Sequence, residues 1–235
     1  MSDWQPTPLE TMSAMMFVLS EESVYSDALY IFGSLGDKDL DSRELNAAAD
    51  LYDRGLARRV GVNCPTIAEV SERFDLTGYG FEFLKRELLS RGVHENDIFA
   101  NSPTSFNTAG EARNLLRMVA EEQWRVVTIM AYPFHQLRCF LQLIALLDSP
   151  PQLKIYNKSF TLRDIDWQRP IKRPILKGSN LLGMTDMNEP MASHTAADYE
   201  RVVKYAQDPA LSGEHHTRHA TIPEMFRYVA KRHSL

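Results

Sequence analysis

Two short segments carry residue types that act on ligands and substrates. The first is His135-x-x-Arg138, and the second is Asn107-Thr108-x-x-Glu111. His135 and Arg138 share one face of a predicted helix because they are three residues apart. An arginine there can clamp a phosphate or carboxylate through two hydrogen bonds, and a histidine can transfer a proton near neutral pH. The two segments therefore predict a site for an anionic ligand, with His135 and Glu111 as its acid–base pair.

Each segment also has an alternative interpretation that is purely structural. Thr108-x-x-Glu111 has the spacing of a helix capping box, and Asn107 is itself a good helix cap. Arg138 could be solvated, and His135 could hydrogen-bond to a carbonyl group. If Glu111 instead faces His135, the carboxylate would orient the imidazole and favour its protonated form. We treat this pairing as a hypothesis.

Further candidates follow other strand-like runs. Gly33 and Ser34 follow an apolar run, and Asn63 and Tyr132 end or follow two others. Asp41-x-x-Glu44 is predicted to cap a helix. Arg43 is predicted in the first turn of that helix, where a cation needs a nearby anion: either a ligand or one of these two acids. The Gly33 loop matches neither the dinucleotide fingerprint nor a P-loop, which disfavours a dehydrogenase.

Alternating strand and helix patterns must position these residues. The predicted strands cover 27–34, 59–63, 97–101, 124–131 and 153–156, and the predicted helices between them begin near Asp41, within 66–91, at Thr108 and at Pro133. Strands separated by helices imply parallel βαβ units. The carboxyl ends of such strands lie at one edge of the sheet, where open α/β sheets bind ligands. We therefore expect the candidate residues to converge there.

The predicted fold class is α/β, a Rossmann-like three-layer sandwich with a mostly parallel sheet of about five strands. An N-terminal helix within 1–23 precedes the Rossmann-like domain at 24–157. That helix should pack on the core, with Leu9, Met12, Met16 and Leu19 at helical spacing. Residues 158–235 should form a C-terminal arm and helices, one near 195–206 and one beginning at the capping box Thr221-x-x-Glu224. The arm offers a surface for a homo-oligomer.

Composition excludes several classes. The 235 residues carry a formal charge of −5, which argues against a nucleic-acid-binding domain. We see no secretory signal and no membrane span, and the two cysteines suit a reducing compartment, so we predict a cytoplasmic protein. His215 and His219 are four residues apart but lie in a predicted loop, and no bound metal is expected.

Taken together, these motifs resemble the YdcF/SanA/ElyC-like family, bacterial domains of unknown function with a Rossmann-like fold. The resemblance covers 27–147 and rests on Gly33-Ser34, Arg43 with its Ala-Ala-Ala-Asp-Leu-Tyr run, Asn107-Thr108-x-x-Glu111 and His135-x-x-Arg138. An acidic residue of the usual family pattern falls at Gly80, unless Glu82 replaces it. The chain resembles the soluble kind, and the resemblance to a soluble member implies binding of S-adenosylmethionine.

The resemblance implies a crevice for a small nucleotide-like or anionic ligand, with S-adenosylmethionine as the specific candidate. Arg43 and Arg138 would hold anionic groups, and Gly33, Ser34, Asn63, Asn107, Thr108 and Tyr132 would complete the ligand-binding set. The residues leave the activity open. An enzyme of the transferase or hydrolase class, acting by group transfer or phosphate-ester hydrolysis, and a non-catalytic metabolite sensor or scaffold both fit the same pocket.

Overall fold

The computed structural model describes most of residues 6–147 and parts of the region that follows. The described residues are 6–33, 37–63, 65–74, 78–147, 153–159, 170–171, 189–190, 200, 202 and 219–232. The predicted arm, the predicted helix near 195–206, Ser34 and His215 fall wholly or almost wholly outside these residues.

Helices and strands alternate along the chain. The strands are β1 (Ala28–Ile31), β2 (Val60–Asn63), β3 (Ile98–Asn101), β4 (Val126–Met130), β5 (Lys154–Lys158), β6 (Pro170–Ile171) and β7 (Glu189–Pro190). The helices are α1 (Pro8–Ser20), α2 (Lys38–Asp53), α3 (Ile67–Arg73), α4 (Phe81–Ser90), α5 (Thr108–Glu121), α6 (Pro133–Leu146) and α7 (Ile222–Arg232), with a 3₁₀ turn at Glu95–Asp97.

The first five strands form one parallel sheet in the order β3-β2-β1-β4-β5. β1 is central and pairs in register with both β2 and β4, for example Tyr30 with Gly61 and with Ile129. Alternate β1 residues enter opposite cores because successive strand side chains point to opposite faces. The predicted α/β sandwich with a parallel five-stranded sheet is confirmed. β6 and β7 form a separate two-residue antiparallel pair.

Two hydrophobic cores make the fold a three-layer structure. One core joins β1, β4 and β5 to residues of α1, α5, α6 and α7, and includes Tyr30, Phe140 and Tyr228. The other joins β1 and β2 to α2, α3 and α4, and includes Leu45 and Leu88. The sheet is thus covered on both faces, as expected for parallel strands with apolar side chains on both sides.

The direction of chain winding reverses between β1 and β4. From β1 the chain proceeds outward through β2 to β3, and then α5 carries it back to β4 on the other side of β1. At such a switch point the connections leave the sheet in opposite directions, which opens a crevice at the carboxyl ends of the two strands.

Two of the predicted helices differ from expectation. α2 begins at Lys38, with Asp37 as its N-cap accepting hydrogen bonds from the backbone of Asp39 and Leu40. The predicted start at Asp41 is therefore wrong, and Asp41 lies inside the helix.

The predicted packing of α1 through Leu9, Met12 and Met16 is also wrong. Its capping box at Thr7 and Glu10 is present, but Thr11, Ala14 and Val18 are the buried residues. The larger apolar residues Leu9, Met12 and Met16 are 68%, 59% and 54% exposed. The face of Thr11, Ala14 and Val18 contacts α6 and β5, and Leu19, the fourth predicted residue, packs partly buried against the same core.

The C-terminal helix α7 covers the outer edge of β5. The predicted capping box is confirmed, since Thr221 and Glu224 bond each other's backbone N–H groups. The Tyr228 hydroxyl accepts a hydrogen bond from the Ile155 N–H (2.6 Å) and donates one to the Leu153 carbonyl (2.9 Å). Side chains of α7 thus satisfy backbone groups of an edge strand that would otherwise be open to pairing.

Within the described residues, no helix is both long enough and apolar enough to cross a lipid bilayer.

Candidate functional site

Glu111 lies beneath the crevice between β1 and β4. It is on the first turn of α5, is 3% exposed, and its Oε1 accepts hydrogen bonds from the Tyr30 hydroxyl (2.6 Å) and the Gly33 N–H (2.9 Å). Asn101, at the end of β3, donates to the Tyr30 hydroxyl and to the Glu111 carbonyl, both at 2.9 Å. Groups from β1, from the turn after it and from the end of β3 therefore fix the position of Glu111.

Burial decides the charge state of this carboxyl group. Desolvation raises the pKa of Glu111 to about 7, although the hydrogen bonds from Gly33 and Tyr30 and the charge of Arg138 act in the opposite direction. A carboxyl group with this pKa is partly protonated at neutral pH, so it can both donate and accept a proton.

Arg138, His135 and Thr108 form a triangle at the amino ends of α5 and α6. Arg138 donates from one nitrogen to the Thr108 Oγ1 (2.9 Å) and from another to the His135 Nδ1 (2.7 Å). The Nε2 of His135 lies 3.4 Å from the Thr108 Oγ1. These contacts hold the guanidinium, which is half-buried, at a helix N-terminus where anions are favoured.

The triangle also assigns the tautomer of His135. A guanidinium can only donate hydrogen bonds, so the Nδ1 atom must present a lone pair. The proton of the neutral ring then lies on Nε2. His135 bonds Thr108 and Arg138, whereas the Glu111 side chain bonds Tyr30 and Gly33, so the hypothesis that His135 pairs with Glu111 is wrong. His135 instead orients the arginine.

The capping interpretation of Thr108-x-x-Glu111 is also wrong. Asn107 is the N-cap of α5, and its Oδ1 accepts the Gly110 N–H at 2.8 Å. Because Asn107 caps the helix, the Thr108 hydroxyl and the Glu111 carboxylate point into the crevice and make the contacts described above. The Asn107 side chain itself is on the exposed side of the loop.

Two acidic residues of α2 complete the cluster. Asp41 is 1% exposed and accepts a short hydrogen bond from the hydroxyl of Tyr132, the residue that precedes α6. Glu44, one turn later, is 0% exposed. Burial and the neighbouring charges of Asp41 and Glu111 raise the pKa of Glu44 well above its ordinary value. Burial and the charges of Asp41 and Glu44 raise the pKa of Tyr132 well above 10.

The sequence did contain a signal for these acids. Asp41 and Glu44 precede Leu45 and Ala48 at helical spacing, so all four fall on the face of α2 that packs on the sheet. A carboxylate on a buried face is rare without a reason. We had instead assigned both residues to a helix cap, and they were missed as members of the site.

The other predicted site residues lie at the rim. The Asn63 amide donates to the Ser105 carbonyl at 2.5 Å and so ties the end of β2 to the loop before α5. Arg43 forms an ion pair with Asp39 at 3.2 Å, and its side chain is 39% exposed. Since α2 begins at Lys38, Arg43 lies beyond the first turn in which we had placed it. Glu82 is exposed in the first turn of α4.

The described residues contain no group of three or more His, Cys, Asp or Glu side chains placed to hold a metal ion. No protein-family model matches the chain, and no curated protein matches it.

Proposed function

We propose that the crevice between β1 and β4 binds a small anionic or nucleotide-like ligand. The observation that carries this proposal is the position of Arg138, half-buried at the N-terminus of α6 and fixed by Thr108 and His135. A guanidinium held in place loses little freedom when it binds a phosphate or carboxylate, so more of the interaction energy appears as affinity.

S-adenosylmethionine is the specific ligand that we propose, by resemblance to the YdcF-like proteins. The residues support a carboxylate or phosphate at Arg138. The Gly33 N–H bonds the Glu111 carboxylate at 2.9 Å, and a Cβ atom at position 33 would lie 3.4 Å from the Glu111 Oε2, so the glycine leaves room for this carboxylate beside the β1 turn. We also propose that this protein acts in the cytoplasm.

If the site is catalytic, Glu111 is the residue that we assign to proton transfer. Its pKa of about 7 suits an acid–base group at neutral pH, whereas the lone pair of the His135 Nδ1 is used by Arg138. His135 is then a positioning residue. Group transfer and phosphate-ester hydrolysis are the reaction classes that need such a proton donor or acceptor beside an anion clamp.

A non-catalytic sensor or scaffold is the second candidate. It is favoured by one observation: the Glu111 Oε1 already accepts two hydrogen bonds from the protein, an arrangement that a structural carboxylate also has. The same pocket would then read a metabolite without turning it over.

Thermal-shift measurements test the binding proposal. Inorganic phosphate, nucleotides and S-adenosylmethionine are added to the wild-type protein, to Arg138→Gln and to the control Arg54→Gln, whose arginine is 55% exposed. We expect at least one ligand to raise the melting temperature of the wild type and the control but not of Arg138→Gln. Equal shifts in all three proteins, or none in the wild type, would contradict the proposal.

Glu111→Gln then separates enzyme from sensor. Glutamine keeps an oxygen that can accept from Tyr30 and Gly33, but it cannot transfer a proton. An enzyme should keep its ligand affinity in this variant and lose turnover, about 100-fold or more for a general acid or base. A sensor should show no turnover in either protein, while the ligand still shifts the melting temperature.

A further inference from the structure

Glu44 is the buried charged residue that the fold explains least. Both of its carboxylate oxygens are buried, and neither has a hydrogen-bond partner among the described residues. By contrast, a single oxygen of Glu111, on α5, accepts two hydrogen bonds. A buried carboxyl group without partners opposes folding, because it has lost its bonds to water and gained none from the protein.

The surroundings of Glu44 increase this cost. The like charges of Asp41, on the same helix, and of Glu111, on α5, raise the pKa of Glu44. The charge of Glu44 in turn raises the pKa of Tyr132, which precedes α6. Carboxyl groups from α2 and α5 therefore meet at the switch point beside the N-terminus of α6. The cluster has one end where Arg138 favours an anion and another where Glu44 and Asp41 favour a cation.

We infer that Glu44 is a ligand-binding residue that receives a primary ammonium group of the ligand while Arg138 holds the ligand's anionic group. The ligand class is thus a small aminated anion. An ammonium group offers three N–H donors and a positive charge, so it satisfies the unpartnered oxygens of Glu44 and offsets the neighbouring carboxylates at once. This inference rests on the proposed function and adds the second half of the ligand.

A hydroxyl group or a quaternary ammonium would each meet only part of this need. A hydroxyl donates one hydrogen bond and carries no charge, and a quaternary ammonium carries the charge without any N–H donor. The inference therefore distinguishes ligands that are otherwise alike.

Three phosphate esters test it by isothermal titration calorimetry: ethyl phosphate, O-phosphoethanolamine and phosphocholine. Each contains a phosphate for Arg138, but only O-phosphoethanolamine has N–H donors on its cation. We expect the wild type to bind O-phosphoethanolamine roughly 10-fold more tightly than the other two, the effect of one hydrogen bond between charged groups. The preference should vanish in Glu44→Gln, which should still bind ethyl phosphate within about twofold of the wild type.

Glu121→Gln is the matched control, because Glu121 is on the exposed surface of α5 and pairs only at the surface with Arg117. It should keep the full preference. Arg138→Gln should weaken binding of all three esters. Because Glu44 would lose no hydrogen bond to any of the described residues, Glu44→Gln and the second variant Glu44→Met should both fold and melt at or above the wild-type temperature.

The outcomes are distinct. An unchanged preference in Glu44→Gln, or a wild type that binds the three esters equally, overturns the inference and leaves the anion site standing. Unfolding of both Glu44 variants overturns it as well, since it would show that the carboxyl group supports the fold. A wild type that binds none of the three esters overturns this inference, whereas the proposed function is overturned only if phosphate, nucleotides and S-adenosylmethionine also fail in the thermal-shift test.

Discussion

The protein buries charged side chains in two clusters, one at the β5 edge of the sheet and one at the switch point between β1 and β4. The hydrogen bonding of the two clusters differs. At the outer edge of β5, Arg232 on α7 is 1% exposed and pairs with Glu21, which is 8% exposed. Arg232 also donates to the Ile155 carbonyl and lies 4.0 Å over the ring of Tyr156. Glu21 accepts two more hydrogen bonds, from the backbone and the side chain of Asn157. Both oxygens of Glu21 are bonded and its charge is balanced by Arg232, although the Arg232 Nε has no hydrogen-bond partner among the described residues. We call this the matched cluster because its two charges are paired.

The cluster at the switch point is not matched in this way. Glu44 has no hydrogen-bond partner among the described residues, and burial with the charges of Asp41 and Glu111 raises its pKa. The comparison teaches that burial of charge alone does not mark a functional site. The matched cluster joins α1, β5 and α7 and is explained by the fold, whereas Glu44 lacks a hydrogen-bond partner within the described part of the chain. The inferred ammonium ligand would supply that partner.

The largest effect should come from breaking the matched cluster. Arg232→Met leaves Glu21 buried without its cation and removes the hydrogen bond to Ile155. We expect the free energy of unfolding to fall by about 3–5 kcal/mol, measured by urea denaturation. The control Arg54→Met removes an exposed arginine paired with Asp50 and should cost about 1 kcal/mol or less.

The double variant Glu21→Gln/Arg232→Met sharpens the same comparison. If the cost arises from the uncompensated carboxylate, removing that charge should restore part of the loss. A double variant that is less stable than Arg232→Met by the full cost of Glu21→Gln alone would show that the two charges are not coupled.

Much of this architecture could be predicted from the sequence, because strand and helix periods are local properties. The apolar runs near 28–31 and 126–130 are long enough to mark buried strands, and Gly33, Thr108, Glu111, His135 and Arg138 follow strands as ligand residues do in α/β sheets. The sequence therefore predicted which loops meet at the carboxyl ends of the strands.

The partners within the site could not be predicted in the same way. They depend on which of several polar groups reaches another across two helices, as when Arg138 rather than Glu111 bonds His135. A one-turn error at the start of α2 also turned Asp41 and Glu44 into capping residues. Likewise, several faces of α1 carry apolar residues, so their spacing alone did not show that Ala14 and Val18, rather than Met12 and Met16, are buried.

An intermediate effect should come from the pH dependence of the unmatched cluster. The pKa of Glu111 is about 7 in the folded protein and near 4.5 in the unfolded chain. Between these values the folded state holds a proton that the unfolded chain has released, so the free energy of unfolding falls as pH rises through this window. We expect Glu111 to contribute a loss of about 3 kcal/mol between pH 4.5 and pH 7.5.

Urea denaturation of the wild type and Glu111→Gln across this range measures that contribution. The variant should gain stability relative to the wild type as pH rises, because glutamine does not titrate. Glu95→Gln is the control: the hydrogen bond from Lys85 lowers the pKa of Glu95, so Glu95 titrates below this range and the variant should run parallel to the wild type across it. Parallel curves for wild type and Glu111→Gln would mean that Glu111 titrates alike in both states.

The smallest effect should come from Asn107. This residue is next to the unmatched cluster, but its side chain caps α5. Asn107→Ala removes the acceptor for the Gly110 N–H and should cost about 1 kcal/mol of stability by urea denaturation. Asn107→Ser keeps a cap and should lose less. Neither change should alter the affinity for ethyl phosphate, whereas Thr108→Val removes a bond that holds Arg138 and should weaken it. Weaker binding in Asn107→Ala with Asn107→Ser intact would instead place the Asn107 side chain among the groups that contact the ligand.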